Sequence, residues 1–337
     1  MDFDFSDEQR LLRDTFRDLL KKHCTPADVR AMWEDPIGRS EDRWRRLGEV
    51  GLLGVAVPEE FGGHGGDEVD LVLLLEEAGR AVLPEPFLEH AALGAPLLAR
   101  AGTHKQKSEW LSRLAEGGAS VTVGLQSQAY VPDATADLVI LERDGELHAL
   151  TQDRLVVEPR RSVDHGRRLF SVTAETGRDT LMGPSAGHRE WILDHGAAAA
   201  AAELTGIAGA LLERTIEYVL QREQFGRKVG SFQALQHRLA EDYLLVESSR
   251  SAAYYAAYAI ANELDDASVA ASVAKAYASD AERRVNNDAL QFHGGIGFTW
   301  EHDLHLWLKR GKALELAWGD ADWHRRRIAD SIYATAG

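Results

Sequence analysis

Hydrophobic residues recur at helical spacing over roughly the first third of this 337-residue chain. Ser6 and Gln9 predict a capping box ahead of the segment 10–24, in which leucine and phenylalanine follow a helical period. Glycines and prolines separate this segment from later ones of the same kind. Further helices are predicted over residues 42–50, 67–81, 88–101 and 103–115. The pattern indicates an N-terminal α-helical domain over residues 1–118.

The pattern changes after residue 118, where short β-favouring runs alternate with turn residues. The runs are SVTVGL, DLVILER, ELHAL, RLVVE and RLFSVTAE, all within residues 120–175. They predict a small antiparallel β domain over residues 119–190.

Long periodic stretches of strong helix formers return after residue 190. Helices are predicted over residues 197–222, 232–264, 267–292, 301–309 and 312–334. Helices of this length with short connections are typical of an antiparallel bundle. We therefore predict a C-terminal four-helix bundle over residues 191–337 and a fold that is mainly α with a small β domain in the middle.

Composition excludes several classes of protein. A net charge of −16, with no marked cluster of Lys and Arg, argues against a nucleic-acid partner. The acidic start Met1–Phe5 does not resemble a signal peptide, and the longest apolar run, 197–212, is interrupted by Glu203, so no membrane span is expected. A single cysteine, Cys24, rules out an internal disulfide and fits a reducing cytoplasm. No metal site is predicted.

Three glycines stand close together in QFHGGIGFTWEH, residues 291–302, between two predicted helices. One interpretation is a helix stop at the glycines, followed by Thr299 as the N-cap of the next helix. A third glycine, with polar Gln291 nearby, also fits a place where bare backbone N–H groups approach a phosphate. The N-terminus of the following helix would then favour the anion. The stretch alone leaves both interpretations open.

A second informative stretch is QREQFGRKVGSFQALQHRLAED, residues 221–242. One helix is predicted to end at Phe225-Gly226, and Ser231 is predicted to cap another that begins with two glutamines. Taken singly, Arg222 reads as a surface residue and Phe225 as a core residue. Together with the glutamines they offer a guanidinium for phosphate, a ring for stacking and amides for a heterocycle.

The helices, β domain, bundle and these two stretches, in this order, resemble the acyl-CoA dehydrogenase family over nearly the whole chain. The motifs that carry the resemblance are R-x-x-F-G, F-Q-x-x-Q and Q-x-x-G-G-x-G-F. The resemblance implies that they reach across a subunit interface and hold the adenosine diphosphate half of FAD in the neighbouring subunit. The cofactor-binding residues implied in this way are Arg222, Phe225, Gly226, Gln233, Gln236, Gln291, Gly294 and Gly295.

Elements that would serve the chain's own flavin and substrate depart from the family pattern. Relatives that hold the isoalloxazine ring carry a T-E-P-x-A-G-S-D-like run and a W-I-T-like strand, whereas residues 124–140 here read GLQSQAYVPDATADLVI and no such strand follows. The family's base glutamate lies in an E-G-T run, where this chain has Trp318-Gly319-Asp320. In some relatives the base lies early in the first bundle helix, which corresponds to Gly196. No catalytic residue is therefore predicted in this chain.

The groups for a neighbour's flavin are present and those for the chain's own flavin are missing. We therefore predict one subunit of a heteromeric FAD-dependent acyl-CoA dehydrogenase, resembling the short, base-lacking subunit of actinobacterial enzymes that oxidise steroid side-chain CoA thioesters. A second dehydrogenase subunit, in an expected α2β2 assembly, would supply the base and isoalloxazine site for an acyl-CoA substrate. Two alternatives stay open. One is a homomeric dehydrogenase with a displaced base such as Glu203 or Glu315, and the other is a scaffold that binds no flavin.

Overall fold

The computed structural model describes residues 4–126 and 128–335, without the side chains of residues 334 and 335, so the first three residues of the acidic start lie outside it. The N-terminal helices are α1 (Asp7–His23), α2 (Pro26–Glu34), α3 (Glu41–Glu49), α4 (Glu68–Ala81), α5 (Ala95–Ala101) and α6 (His104–Ala115). A π-helical segment, Leu88–Gly94, leads directly into α5. The predicted helices of this region are confirmed to within three residues, and α2 is an addition to them.

The capping box at the start of α1 is confirmed. The Ser6 hydroxyl accepts the Gln9 N–H at 3.1 Å, and the Gln9 side-chain oxygen accepts the Ser6 N–H at 2.9 Å. Two of the N–H groups that a helix start leaves unpaired are thereby satisfied by neighbouring residues.

In the described part of the middle β region, seven strands form two sheets. They are β1 (Val121–Gly124), β2 (Val131–Pro132), β3 (Leu138–Arg143), β4 (Glu146–Thr151), β5 (Leu155–Arg160), β6 (Leu169–Ala174) and β7 (Leu181–Pro184). The sheets have the orders β1-β3-β4-β7 and β2-β6-β5. All five predicted runs form strands, but β1 pairs with β3 in parallel, because the intervening chain crosses over instead of turning back at once.

The C-terminal region, as far as the structure describes it, contains five α-helices. They are α7 (Arg189–Gln221), α8 (Gln233–Ala261), α9 (Ala267–His293), α10 (Leu304–Leu316) and α11 (Ala321–Thr335). α7 begins eight residues before its predicted start at residue 197, and it is apolar and long enough to span a membrane by composition. Its apolar window is entirely buried within the protein, which is the environment of a core helix.

The break between the last two helices lies at residues 317–320, and the predicted break near Gly311 is wrong. Gly311 is inside α10, where a Cβ would overlap the buried carboxylate of Glu282 on α9. This glycine therefore permits close helix packing and does not end a helix. α10 ends where Trp318 and Gly319 adopt positive φ angles of 55° and 97°.

α7 and α4 approach each other at the level of the backbone. A Cβ on Gly206 of α7 would overlap the carbonyl oxygen of Glu76, and a Cβ on Gly79 of α4 would overlap that of Glu203. The crossing connects the N-terminal helices to the bundle, and among the described residues a continuous hydrophobic core runs through both. The predicted division of the chain after residues 118 and 190 stays a prediction.

Gly206→Ala should lower the free energy of unfolding by about 1–3 kcal/mol, because the added methyl group must separate two helices in backbone contact. The matched control is Gly209→Ala on the same helix, where the new Cβ would lie 3.2 Å from the end of the flexible Arg80 side chain and at an ordinary 3.8 Å from Arg250 and Val246. That variant should be neutral or gain up to about 1 kcal/mol from helix propensity. Urea denaturation measures both, and equal stabilities would contradict the backbone-contact interpretation.

Candidate functional site

The R-x-x-F-G motif forms a β-hairpin instead of a helix end. α7 stops at Gln221, and the strands Glu223–Gln224 and Arg227–Lys228 then pair in antiparallel fashion. Phe225 and Gly226 occupy the two-residue turn with φ angles of 54° and 75°, the combination of a type I′ turn. The predicted helix end at this position is wrong.

Phe225 is 91% exposed, so its interpretation as a core residue is also wrong. A left-handed conformation costs a residue with a side chain roughly 1–2 kcal/mol. The hairpin therefore presents an aromatic ring to the outside at a conformational cost, which is unusual unless another molecule covers the ring.

The start of α8 also differs from the prediction. The Ser231 hydroxyl donates to the carbonyl of Lys228 at 2.7 Å and does not cap the helix, because the N-cap position is Phe232. Gln233 is exposed in the first turn of α8. The side-chain amide of Gln236 donates to the carbonyl of Gly230 at 2.9 Å and so stabilises the connection before the helix.

The glycine stretch begins as a helix stop, which confirms that part of the first interpretation. α9 ends at His293, and Gly294 takes a φ of 62°. A Cβ on Gly294 or Gly295 would find no atom of the described protein within 4 Å. Both glycines thus leave bare backbone facing open space, which the second interpretation also requires.

The segment after these glycines does not start the next helix. Residues Gly294–Phe298 form a short 3₁₀ turn, and the Thr299 hydroxyl donates back to the Ile296 carbonyl at 2.9 Å. α10 begins only at Leu304. The predicted N-cap at Thr299 is therefore wrong, and so is the idea that the N-terminus of the next helix assists the glycines.

The hairpin and the glycine turn face the same open groove, which we call the cofactor groove, with a volume of about 430 Å³. Its lining consists of Tyr218, Arg222, Gln224, Phe225, Val229, Phe232, Leu235, Phe292, His293, Gly294 and Gly295. Four of the eight residues implied by the family resemblance are among them. The other four are not in the lining: Gly226 at the hairpin tip, Gln233 and Gln236 in the first turns of α8, and exposed Gln291 in the last turn of α9.

The stacked rings of Tyr218 and His293 form the floor of the cofactor groove. Tyr218 is not part of the sequence motifs. The rings of Tyr218 and His293 lie 4.3 Å apart at 19°, and the Tyr218 hydroxyl donates to the His293 carbonyl at 3.3 Å. Tyr218 could have been found, because it precedes Arg222 by four residues on a helix and therefore shares its face. Burial lowers the pKa of His293, and its Nδ1–H donates to Ala289, so Nε2 is left as an acceptor.

The donors of the cofactor groove suit a phosphate next to a planar ring. The exposed Arg222 guanidinium has no hydrogen bond or ion pair with the described part of the chain. Gly295 lies in the first turn of the 3₁₀ segment, where an N–H has no partner within the turn. A guanidinium and bare backbone are the usual phosphate contacts, and Phe225 offers a ring face. These groups fit the adenosine diphosphate half of FAD.

Residues 196 and 318, the two positions to which the family resemblance assigned a base in relatives, are in contact with each other. Trp318 is 2% exposed, and three of its indole carbons lie 2.6–2.9 Å from where a Cβ on Gly196 would stand. Any side chain at residue 196 would overlap the indole. Glycine and tryptophan are therefore complementary here, and neither can remove a proton.

Lys275, which the sequence analysis did not single out, fixes the turn that carries Trp318. Its ammonium group is fully buried and donates to the carbonyls of Glu315 and Gly319, both at 2.9 Å, and to the Ser279 hydroxyl at 3.1 Å. Burial lowers its pKa to about 7. His324 Nε2 donates to the Trp318 carbonyl at 3.0 Å from the other side of the turn.

Two of the nearby carboxylates are already engaged. Glu315 is paired with Lys312 at 2.8 Å and with Arg283 at 3.3 Å. Asp320 accepts the Trp323 N–H at 2.8 Å, as expected for a residue at the start of α11. Both have structural partners that a catalytic base would have to give up.

Glu203 is a surplus carboxyl in a buried ionic cluster. In that cluster Arg310 is paired with Asp164, and Arg167 is paired with Glu89. Burial is the main cause that raises the pKa of Glu203 to about 7. The cavity beside its carboxyl measures about 20 Å³, which is room for a water molecule but not for an acyl chain.

Comparison with known families identifies the class of protein. The N-terminal domain model of the acyl-CoA dehydrogenases matches residues 6–118, and their C-terminal domain model matches residues 189–333. The chain therefore belongs to the acyl-CoA dehydrogenase family of oxidoreductases, whose cofactor is FAD.

One related protein and two solved structures are similar to this chain over nearly its whole length. The chain is 38% identical to the acyl-CoA dehydrogenase IpdE2 of Mycolicibacterium smegmatis, over 97% of this chain and 100% of that protein. It superimposes on a structure described as the Tcur3481-Tcur3483 steroid ACAD G363A variant with a TM-score of 0.88 and 29% identity, covering 98% of this chain and 99% of that one. The ChsE4-ChsE5 complex from Mycobacterium tuberculosis gives a TM-score of 0.89 and 25% identity, with 99% of both chains covered.

Gly196→Ala should lower the free energy of unfolding by about 1–3 kcal/mol, because its methyl group overlaps the Trp318 indole. In a Trp318→Ala background the same change should cost little, since the indole is gone. Chemical denaturation of the two single variants and the double variant measures this coupling. Additive effects would show that the two residues do not share one space.

Glu203→Gln should stabilise the protein at pH 8 by up to about 3 kcal/mol, from about 1.4 kcal/mol per unit of pKa shift. Folding raises the pKa of Glu203 from 4.5 to about 7. The free-energy cost of burying its charge is therefore complete above pH 7, decreases as the pH falls, and is absent below about pH 4.5. Denaturation at pH 4 and pH 8 measures the effect. Exposed Glu60→Gln is the control and should change little at either pH, whereas a loss of stability in Glu203→Gln at pH 8 would contradict the surplus-carboxyl interpretation.

Proposed function

We propose that this chain is the cofactor-clamping subunit of a heteromeric acyl-CoA dehydrogenase, and that a second, catalytic subunit carries the isoalloxazine site and the base. One observation carries the proposal. The R-x-x-F-G hairpin and the glycine turn meet at one open groove, whereas the two base positions, Gly196 and Trp318, fill each other's space. The chain thus has a groove for part of a cofactor, whereas neither of the two base positions carries a group that could remove a proton.

The similar structures support a partner of the same family. The Tcur3481-Tcur3483 and ChsE4-ChsE5 structures each carry the names of two proteins. The first of these structures is described as a steroid ACAD. We propose the same kind of pairing for this chain, in an α2β2 assembly, with steroid side-chain CoA thioesters as the substrate class.

In this assembly each subunit supplies different groups. FAD, when bound, supplies the hydride acceptor for α,β-dehydrogenation of the acyl-CoA thioester. The Arg222 guanidinium would hold the pyrophosphate by charge-assisted hydrogen bonds, and the open backbone at Gly295 would let its N–H approach a phosphate. Phe225 would cover a ring of the cofactor, which would account for its exposure in the isolated chain. The partner's carboxylate removes the α proton.

A homomeric dehydrogenase is the second candidate, and the raised pKa of Glu203 is the observation in its favour. A base must lie within about 3 Å of the proton it removes, and the small cavity beside Glu203 opposes this candidate. Turnover of acyl-CoA by the purified single chain, abolished by Glu203→Gln, would favour it over the heteromer. A scaffold that binds no flavin would be excluded by flavin absorbance in the copurified complex.

Arg222→Ala or Gly295→Val should strip flavin from the assembled complex. Charge-assisted hydrogen bonds are worth roughly 1.5–3 kcal/mol, so the loss of Arg222 should weaken cofactor binding about tenfold to a hundredfold. Gly295→Val should be at least as harmful, because a β-branched side chain would fill the open space in front of the backbone. Flavin content per complex, measured after gel filtration of the coexpressed subunits, is the readout.

The control is Trp318→Phe, which alters the closed pocket and should leave the flavin content nearly unchanged. A complex that assembles normally and keeps full flavin with either Arg222→Ala or Gly295→Val would show that the two turns serve only the fold of this chain.

A further inference from the structure

A second groove lies between the connection from α2 to α3 and the connection from β5 to β6. Its volume is about 920 Å³, and it shares no lining residue with the cofactor groove. Trp33, Ile37 and Phe170 give it an apolar surface, and four arginines, Arg39, Arg160, Arg161 and Arg168, line it as well. We call it the arginine groove.

Both walls of the arginine groove are anchored by polar contacts. In the β5–β6 connection, Asp164 accepts the Gly166 N–H at 2.9 Å and forms a buried ion pair with Arg310. In the opposite wall, the Arg168 guanidinium donates to the carbonyls of Asp35 and Pro36 and so ties the two connections together. The groove is therefore largely preformed, as small-molecule sites usually are.

Two of the four arginines of the arginine groove are paired with carboxylates, Arg39 with Asp133 at 3.7 Å and Arg160 with Glu158 at 2.7 Å, and among the described residues the other two are not. Exposed Arg161 has no hydrogen bond or ion pair with the described part of the chain, and the hydrogen bonds of Arg168 go to carbonyls. The carboxylates in the lining are Asp164, whose charge Arg310 compensates, and Glu41. In a chain with a net charge of −16, such a local excess of positive charge favours an anionic ligand.

Aromatic rings lie next to these cations. Trp33 is flanked by exposed His165, whose ring centroid is 5.1 Å away, and by His305, which stacks on it at 5.4 Å and 27°. The Lys309 ammonium lies 5.2 Å from the Trp33 ring centroid and supports it from the side. A ring held in this way gives a flat ligand a rigid surface for stacking.

We propose that the arginine groove is a nucleotide site, in which Trp33 and His165 contact the base and Arg161 and Arg168 bind the phosphate. An anion alone would need only the guanidinium groups, whereas the ring surface beside them adds recognition of a planar heterocycle. The same chemistry belongs to a free adenine nucleotide and to the 3′-phosphorylated nucleotide end of CoA. The site is independent of the cofactor groove and of its proposed role.

Isothermal titration calorimetry of the full-length chain tests the site with four probes: ADP, adenosine 3′,5′-bisphosphate, adenosine and inorganic phosphate. Arg161→Glu reverses a charge that has no partner in the described part of the chain, so the fold should be unaffected. Its matched control is Arg178→Glu, an exposed arginine of the same β region outside the groove and also without such a partner. All titrations are made in an Arg222→Ala background, because the cofactor groove is itself proposed to bind the adenosine diphosphate half of FAD and would otherwise compete for the ADP probe.

In the Arg222→Ala background, ADP should bind with the same affinity whether or not Arg178→Glu is added, and at least tenfold more weakly when Arg161→Glu is added. Adenosine and inorganic phosphate should each bind more weakly than ADP. Tighter binding of adenosine 3′,5′-bisphosphate than of ADP would assign the site to CoA, and equal or weaker binding would assign it to a free nucleotide.

The proposal is overturned by any of three results. These are no saturable binding of ADP in the Arg222→Ala background, equal affinities when Arg161→Glu or Arg178→Glu is added, or inorganic phosphate binding as tightly as ADP.

Discussion

The backbone contact of α7 with its neighbours is the constraint on which the rest of the structure depends. At Gly206 and at Gly79 the surfaces of α7 and α4 meet without an intervening side chain, and at Gly196 the surface of α7 receives the Trp318 indole. Such contacts leave no freedom in the distance between the elements, because a single methyl group would exceed the space. The N-terminal helices, the bundle and the turn after α10 are therefore held in one fixed arrangement around one helix.

Hydrophobic periodicity was sufficient to predict most elements, because amphipathic helices and short β runs are encoded within the elements themselves. It failed where one residue type serves two physical purposes. Glycine both ends helices and permits close packing, and only the neighbouring Glu282 shows that Gly311 does the second. Phe225 likewise looks like a core residue until the hairpin places it outside. In each case the deciding partner lies on another element.

The candidate site was predictable to the same limited degree. The motifs identified the residues of both turns, but not that Arg222, Phe225, Gly294 and Gly295 would share a groove while the three glutamines stay outside its lining. The stacked Tyr218 was missed because a tyrosine on a helix is a common core residue. The contribution of Lys275 could not be read from the sequence either, since its hydrogen-bond acceptors are backbone carbonyls of a turn about forty residues away.

The length of α7 also explains how the open cofactor groove and the space that Trp318 fills beside Gly196 can occur in the same chain. Gly196 and Arg222 are separated along this helix by roughly 39 Å, at 1.5 Å per residue. A residue in the cofactor groove therefore cannot act on a reacting centre near Gly196 of the same chain. FAD is long enough to lie across a boundary between chains, so its nucleotide half and its reacting ring need not meet the same subunit. α7 has an open groove at one end and a space filled by Trp318 toward the other. This arrangement is expected of a subunit that holds one half of a cofactor while another subunit holds the other half.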